Sequence, residues 1–439
     1  MKDTSESAIG KSTFFGLGSF QFLSFTRRGI FYSFMYIYLF SLLGKVTAAA
    51  GLGTFTMLTS AAGQNLLWGR ISDRYRLRAK LVVVGELIAG FTYILVFLVH
   101  RSLLDAGRSF DAGLAIISGL SLLEFFWSMS DVGWAALLTD VTTPQTRGGL
   151  IGAFNFLASV GRMSGVLIAG FLYGGGSGFR EGTIFYVVVT MLFIGAAVMF
   201  KASKSIEKQT RQARSSQRER VKAELGLDQK RSNQFSNEKT FFWFLVSLII
   251  VVLGAASVNQ IFLFFLQLDE GLGASDVEVS LIVAAWTVGG MTASVFLGKL
   301  SDRIGRVKVI LGGLILAAII PLLYGFVPNV GLMAVTYGLN GLSFMTIRTV
   351  GFAFAGDIIP EHKRGRLLSR YNTVMALSWG PAGFLIGGPL ADFQTETLKI
   401  STRDAYINAF LVSSLLVFLG MSLFFVKIRK EKHGLESLK

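Results

Sequence analysis

The sequence predicts an all-α membrane protein with twelve transmembrane helices arranged as two six-helix repeats. Apolar residues make up 52% of the 439 positions and charged residues only 16%, whereas soluble domains carry about 25% charged residues. Apolar runs recur along the whole chain, and a short glycine–aspartate–arginine motif occurs twice, at residues 69–74 and 298–303. A chain of this composition cannot cover a globule with polar surface, so most of it must face lipid.

The apolar runs are long enough to cross a bilayer. A helix of 18 or more residues, rising 1.5 Å per residue, spans close to the ~30 Å of hydrocarbon. We expect spans at 14–43, 50–69, 79–99, 112–139, 150–173 and 183–200, then at 240–266, 278–298, 307–326, 331–356, 367–390 and 404–427. The predicted domains are an N-terminal half at 1–200, a basic linker at 201–239, a C-terminal half at 240–427 and a tail at 428–439.

The net charge of +15 is concentrated in loops that the twelve spans place on one side. The linker between Lys201 and Lys239 alone contains eleven basic residues. This distribution follows the positive-inside rule and differs from a nucleic-acid-binding surface. We therefore predict a multi-pass protein of the plasma (inner) membrane with both termini in the cytoplasm, and no nucleic-acid partner. The linker should lie along the headgroups and connect the halves.

Residues for covalent or metal chemistry are scarce. The chain has no cysteine, and its three histidines fall in predicted loops or the tail. No G-x(4)-G-K-[ST] nucleotide loop occurs. The sequence therefore predicts no enzyme, no metal and no cofactor.

The duplicated motif ends an apolar run in each half and opens a basic loop. Glycine permits two helices to approach closely, and an aspartate among arginines has its charge compensated at the membrane edge. We expect these loops to gate the cytoplasmic side. The predicted gating residues are Gly69, Asp73, Arg74 and Arg78 in the first copy, and Gly298, Asp302, Arg303 and Arg306 in the second.

A second repeat supports the duplication independently. Asp140, Arg147 and Gly148 recur as Asp357, Arg364 and Gly365, a constant shift of 217 positions. The same shift relates Asp131 to Arg348 and Asn155 to Asn372. Repeats of this kind surround a central cavity in transporters that alternate access.

The motif resembles the cytoplasmic loop between the second and third helices of each half of major facilitator superfamily transporters. The second copy, Gly298 to Lys308, matches that pattern almost fully, whereas the first has Arg76 where the family usually has glycine. The resemblance implies a looser first turn. It also implies the twelve-helix fold of that family and secondary transport by a rocker-switch mechanism.

Span five resembles the glycine–proline signature of the proton-coupled drug antiporters of that family. Its Gly152, Gly161, Gly165 and Gly170 fit the signature, but Val166 replaces the proline and Ala169 one glycine. Small residues at this spacing would also explain close helix packing alone. Span four departs from the antiporters because Met129 stands where they usually carry arginine, so Arg162 or Arg27 would supply the positive charge.

Several charges lie inside predicted spans, where each one is costly unless paired or hydrated. Asp131 and Glu124 in span four are seven residues apart and share a helix face. We predict that they couple transport to protons. The arginines predicted to bind these acids, or the substrate, are Arg27, Arg28, Arg162 and Arg348. The alternative is that the charges form static ion pairs that only hold helices together. Glu86, six residues beyond Lys80, is expected to pair near the cytoplasmic rim.

Neutral polar and aromatic residues add further substrate-binding candidates. Those predicted are Asn259, Gln260, Asn340, Asn372, Trp127 and Trp379. The alternative is that each of these side chains only contacts a neighbouring helix.

The leading functional interpretation is proton-coupled efflux of small amphiphilic compounds, driven by the transmembrane proton gradient. The first alternative is a proton-coupled symporter or exchanger of sugars or organic anions, favoured by the surplus of arginines. A channel or a non-transporting receptor is a third. The expected partners are a small-molecule substrate, protons and membrane lipid, and one chain can form a complete cavity.

Overall fold

The computed structural model describes residues 10–75, 77–142, 144–224, 238–359 and 363–436. These residues form twelve long helical segments, in the order of the twelve predicted spans. The first six are α1 (Lys11–Leu43), α2 (Val46–Ala62, Gly63–Trp68 and Gly69–Tyr75), α3 (Arg78–Asp105), α4 (Ser109–Val141), α5 (Pro144–Leu172) and α6 (Thr183–Glu224).

The last six segments are more often interrupted. They are α7 (Glu238–Ala256 and Asn259–Gln267), α8 (Asp276–Thr292, Ala293–Leu297 and Gly298–Ile304), α9 (Arg306–Leu323), α10 (Val330–Ile358), α11 (Arg364–Trp379, Gly383–Gly387, Gly388–Asp392 and Phe393–Thr397) and α12 (Thr402–Glu436). The prediction of an all-α fold is confirmed for the part of the chain that the structure describes.

Nine of the segments within the described ranges are long and apolar enough to cross a membrane, namely α3 to α7 and α9 to α12. Both α2 and α8 are divided by π-helical turns, at Gly63–Trp68 and Ala293–Leu297. Each π-helical turn directly precedes the glycine of the duplicated motif. A π-turn widens the helix locally, so both halves have an irregular segment at the same place before their motif loop.

The described residues form two compact units. The first takes the stretches up to Tyr32, from Leu58 to Leu172 and from Gly176 to Glu224. The second takes Ser33–Met57, Tyr173–Gly175 and the chain from Glu238 onwards. The boundary between the units crosses α1 and α2, whereas the N-terminal half predicted from the sequence repeat ends at residue 200. The domain assignment drawn from that repeat stays a prediction.

Close helix contact in the first unit depends on glycine. Gly161 and Gly165 of α5 lie against the backbone of Phe22 and Thr26 in α1, and a Cβ at Gly165 would overlap the Thr26 carbonyl. The spacing of small residues in span five therefore serves α1–α5 packing. The apolar core of this unit contains Leu17, Phe20, Val82, Leu137, Phe154 and Met199.

The second unit has a larger apolar core around α7, α9, α10 and α12. Its buried members include Phe244, Leu248, Val251, Ile310, Leu314, Val350, Phe354 and Phe424. On the other side of α10, Gly341 packs against the backbone of Trp286 in α8. Trp286 donates its indole N–H to Oδ1 of Asn340 at 3.1 Å, which ties α8 to α10.

The helix of span six runs on without interruption to Glu224. The first part of the predicted linker thus continues α6 rather than starting a separate surface helix. Residues 225–237 of the linker, Arg76 in the first motif loop and His362 lie outside the described residues.

Candidate functional site: charged side chains within the helices

The two motif loops build matching ion-pair clusters. In the first unit, Arg78 at the start of α3 donates from Nη1 to the carbonyl and hydroxyl of Ser72, both at 2.7 Å. The same guanidinium lies 3.3 Å from Asp140 and 3.4 Å from Asp73. Arg78 thereby connects the end of α2, the start of α3 and the end of α4.

The second unit repeats this arrangement. Arg306 at the start of α9 pairs with Asp302 at 3.6 Å and forms a shorter ion pair with Asp357 at the end of α10. Gly305 connects α8 to α9 with φ of +96°, a conformation that favours glycine. The predicted gating residues Asp73, Arg78, Asp302 and Arg306 therefore lie in the clusters, whereas Arg74 and Arg303 are exposed beside them.

A buried ion pair lies between α1 and α3. Arg27 and Glu86 are 2% and 1% exposed, and Nη2 of Arg27 lies 2.8 Å and 3.0 Å from the two carboxylate oxygens. Ser130 donates its hydroxyl to Oε1 of Glu86 at 3.1 Å. The expectation that Glu86 is paired is confirmed, and its partners come from α1 and α4, which bury the carboxylate.

Trp127 of α4 joins this pair to the next arginine. Its Nε1 donates to Oε1 of Glu86 at 2.8 Å. The guanidinium carbons of Arg27 and Arg28 lie 4.0 Å and 4.6 Å from the centre of the Trp127 ring system, within the range of cation–π attraction. Trp127 is itself 2% exposed, so it acts here as a buried connection between charged side chains.

Arg28 reaches a more open position than Arg27. Its Nη2 lies 3.1 Å from Oδ1 of Asp131, and the two side chains are 30% and 44% exposed. Neighbouring positions on a helix point about 100° apart, which explains why Arg27 and Arg28 meet different carboxylates. The Arg28–Asp131 pair is the exposed part of the cluster.

Glu124 lies two turns from Asp131 along α4. Its Oε1 accepts a hydrogen bond from the Tyr32 hydroxyl at 3.2 Å. Tyr32 follows Arg28 by four residues, so both side chains leave the same side of α1. Within the described residues Glu124 makes no ion pair shorter than 4.0 Å, in contrast to Asp131 and Glu86.

The remaining charged candidates are Arg162 and Arg348. Arg162 of α5 has an exposed side chain, and its carbonyl packs against Gly29 of α1. Arg348 of α10 belongs to the second unit and also has an exposed side chain. Its own carbonyl accepts a hydrogen bond from the Tyr371 hydroxyl at 3.2 Å.

The neutral candidates of the second unit are distributed over three helices. Gln260 of α7 is buried and hydrogen-bonded to Tyr36, and its Oε1 has no hydrogen-bond partner among the described residues. Asn259 next to it is half-buried. Asn372 and Trp379 of α11 are exposed and seven residues apart, which places them on one helix face.

The end of the second unit opposite its motif loop carries a further polar cluster. Asp392 of α11 accepts the backbone N–H groups of Val46 and Thr47, each at 2.9 Å, and so caps the start of α2. Lys45 and Glu396 form an exposed ion pair at 3.0 Å beside this cap. These contacts connect residues more than 340 positions apart in the chain.

Sequence reasoning missed Tyr32 and the burial of Glu86. The position of Tyr32, one turn beyond Arg28, was a usable signal. The burial of Glu86 depends on how α1 and α4 pack around α3, which spacing within one helix does not report.

Comparison with known proteins assigns the family. The profile of the Major Facilitator Superfamily matches residues 17–275 and 248–439. An uncharacterized MFS-type transporter of Mycobacterium tuberculosis is 30% identical over 122 residues, or 27% of this chain and 17% of the relative. The quinolone resistance protein NorA of Staphylococcus aureus is 25% identical over 158 residues, or 36% of this chain and 39% of NorA. The matches thus span well under half of these relatives.

Solved structures agree on the fold over nearly the whole chain. The nucleoside transporter NupG superposes with a TM-score of 0.66 at 12% identity, covering 95% of this chain and 99% of NupG. A bacterial homologue of the iron transporter ferroportin, in an inward-facing state, gives a TM-score of 0.63 at 14% identity, covering 93% of this chain and 98% of the homologue. All of these relatives are membrane transporters rather than enzymes. With the duplicated motif clusters and a family profile that spans both halves, this chain belongs to the Major Facilitator Superfamily of membrane transporters.

Proposed function

We propose that this transporter exports small amphiphilic compounds in exchange for protons, across the plasma (inner) membrane and with both termini in the cytoplasm. The observation that carries the proposal is the pair of carboxylates on one face of α4. Asp131 is held by Arg28, and Glu124 by the Tyr32 hydroxyl. The similarity to NorA, whose name refers to quinolone resistance, supports export as the direction.

The half-exposed ion pair provides the coupling step. Protonation of Asp131 removes the negative charge that attracts Arg28, so the guanidinium is released to bind another acceptor. The buried Arg27–Glu86 pair keeps its partners throughout and holds Trp127 in place. Glu124, two turns away and held by the Tyr32 hydroxyl, is the second carboxylate that can take up a proton from the same side of α4.

The motif clusters provide the conformational part of the cycle. Each one joins three helix ends through a single arginine, Arg78 or Arg306, and these contacts break when the cytoplasmic side opens. Because both clusters use partly exposed charges, each is worth little by itself and is easily broken and re-formed. One chain would complete this cycle as a monomer.

Transport into proteoliposomes under an imposed pH gradient tests the proposal. The probe is ethidium, a lipophilic cation, and the variants are Asp131→Asn and Glu124→Gln. We expect Asp131→Asn to abolish gradient-driven accumulation while ethidium exchange without a gradient continues. Asp111→Asn is the matched control, because it removes a carboxylate from the same helix at an exposed position paired with Arg108. Gradient-driven transport that survives in both test variants would exclude this coupling assignment.

A proton-coupled symporter or exchanger of sugars or organic anions is the second candidate. Arg348, which lies ten residues before the end of α10 and forms no ion pair with the described residues, favours it over a carrier of cations alone. Gradient-driven uptake of a radiolabelled sugar or carboxylate, with no movement of ethidium, would select this alternative.

A further inference from the structure

We propose that Arg348 binds an anionic group of the transported compound, and that the compounds carried therefore include amphiphilic carboxylates. The inference rests on the proposed function only in assuming that the second unit contributes to substrate binding. It adds a chemical class of substrate and assigns one residue to its recognition.

The internal repeat shows what Arg348 lacks. Arg348 and Asp131 occupy equivalent positions, 217 residues apart, and Asp131 is neutralised by Arg28 of the first helix in its half. The first helix of the other half, α7, contains no acidic or basic residue from Thr240 to Gln267. The first helix of the second half therefore has no charged residue that could neutralise Arg348 as Arg28 neutralises Asp131.

No other described residue replaces that counter-ion. Arg348 forms no ion pair within 4.0 Å in the described parts of the chain, and only its backbone carbonyl is engaged, by Tyr371. The acidic residue nearest in sequence, Asp357, is already paired with Arg306 at the end of the same helix. The guanidinium thus keeps all its donors for a ligand.

The exposed residues of α10 indicate which side of the helix the Arg348 side chain leaves. Leu332, Val335 and Leu339 form an exposed apolar face along the first half of the helix. Arg348 comes nine residues after Leu339, which is two and a half turns, so it leaves the side of the helix opposite to these three residues, where Phe352, four residues further on, is also exposed. An apolar face suits lipid, whereas an arginine ten residues from the end of a spanning helix must meet water or a polar partner. Its charge therefore places the Arg348 guanidinium where it meets water or a polar partner.

The chemistry of the side chain defines its ligand. The guanidinium of Arg348 offers five N–H donors and no acceptor. Its planar donors match the two oxygens of a carboxylate and form charge-assisted hydrogen bonds to both. The exposed Trp379 and Asn372 on α11 belong to the same unit and suit the ring and polar parts of an aromatic acid.

Thermal unfolding of the purified full-length protein in mild detergent tests the inference. The probes are 2-naphthoate and 2-naphthamide, which share the ring system and differ in charge. A ligand that binds only the folded state raises the unfolding temperature in a saturable, concentration-dependent way. We expect stabilisation by naphthoate and not by naphthamide in the wild type.

Substitutions assign the effect to one residue. Arg348→Gln should weaken apparent naphthoate affinity by about tenfold or more, and Arg348→Lys should retain part of it because the positive charge remains. Arg403→Gln is the matched control, since it removes an arginine of the second unit that already pairs with Asp404. Equal stabilisation by both probes, stabilisation by neither, or a naphthoate effect that survives in Arg348→Gln would overturn the inference.

The outcome is separable from that of the transport assay. If Arg348→Gln loses naphthoate binding, the inference is supported. If ethidium transport is also independent of the pH gradient, proton coupling is rejected. Gradient-driven ethidium transport together with naphthoate binding that does not depend on Arg348 gives the reverse result.

Discussion

The two adjacent arginines of α1 have different surroundings, and their contributions to stability should differ accordingly. Arg27 is enclosed with Glu86, Trp127 and Ser24, whereas Arg28 shares a half-exposed position with Asp131. Desolvating two charges is costly, and removing one partner of a buried pair leaves the other without compensation. Arg27 is therefore a structural charge, and Arg28 is the one placed to change partners.

We predict that Arg27→Gln lowers the free energy of unfolding by about 3–5 kcal/mol, since it leaves the Glu86 carboxylate buried and uncompensated. Arg28→Gln should cost about 1 kcal/mol or less, because water reaches Asp131. Thermal unfolding in detergent measures both. The double variant Arg27→Gln with Glu86→Gln should recover most of the loss, and failure to recover would show that the guanidinium stabilises by packing instead.

At the scale of single helices, irregular turns escaped prediction while close contacts did not. Small residues spaced along α5 predicted close packing against a neighbouring helix, and the structure shows that this helix is α1. The π-helical turns before Gly69 and Gly298 have no comparable signal, because a π-turn depends on which carbonyl each N–H reaches and not on the apolar pattern. The repeat of this feature in both halves is visible only in the structure.

The start of α2 depends on a carboxylate from the far end of the chain. We predict that Asp392→Ala lowers stability by about 1–2 kcal/mol, because the N–H groups of Val46 and Thr47 lose their acceptor. Chemical or thermal unfolding measures the effect. Asp404→Ala removes an exposed carboxylate paired with Arg403 and should change stability far less. An equal loss would mean that the effect of Asp392→Ala is not specific to the cap.

The Lys45–Glu396 pair should weaken at alkaline pH. Its hydrogen bond and the Glu396 charge raise the pKa of Lys45 above the ordinary lysine value. A raised pKa in the folded state means that the pair contributes fully below the ordinary pKa and is lost as pH rises through the raised one. Competitive acylation with acetic anhydride should give a reactivity midpoint for Lys45 that falls in Glu396→Gln. An unchanged midpoint would show that the pair does not form in solution.

At the scale of the whole molecule, repetition made the fold predictable. The recurring apolar runs and two repeated motifs predicted the twelve segments and their order, because length, hydropathy and repetition are properties of the linear chain. The Arg28–Asp131 pair was within reach because both charges lie inside predicted spans, where each one needs a partner. The Tyr32–Glu124 and Arg27–Glu86 contacts depend on how each helix is rotated about its axis, which the linear pattern does not determine.

Membrane orientation can be measured on a simple background, because the chain contains no cysteine. We predict that Arg108→Cys, between α3 and α4, reacts with a membrane-impermeant maleimide in intact cells, since the sparsely charged loops face outward. Tyr75→Cys in the first motif loop should react only after permeabilisation. The opposite pattern would reverse the topology.

The position of Trp127 between two guanidinium groups and a carboxylate has an optical consequence. The energy of an indole transition shifts with the electric field across the ring, and charges 4.0 Å and 4.6 Å from its centre dominate that field. When Arg28 leaves Asp131, the emission wavelength of Trp127 should move without any added label. In a variant that keeps Trp127 and replaces the other five tryptophans, this shift would let single steps of the transport cycle be timed by stopped-flow fluorescence.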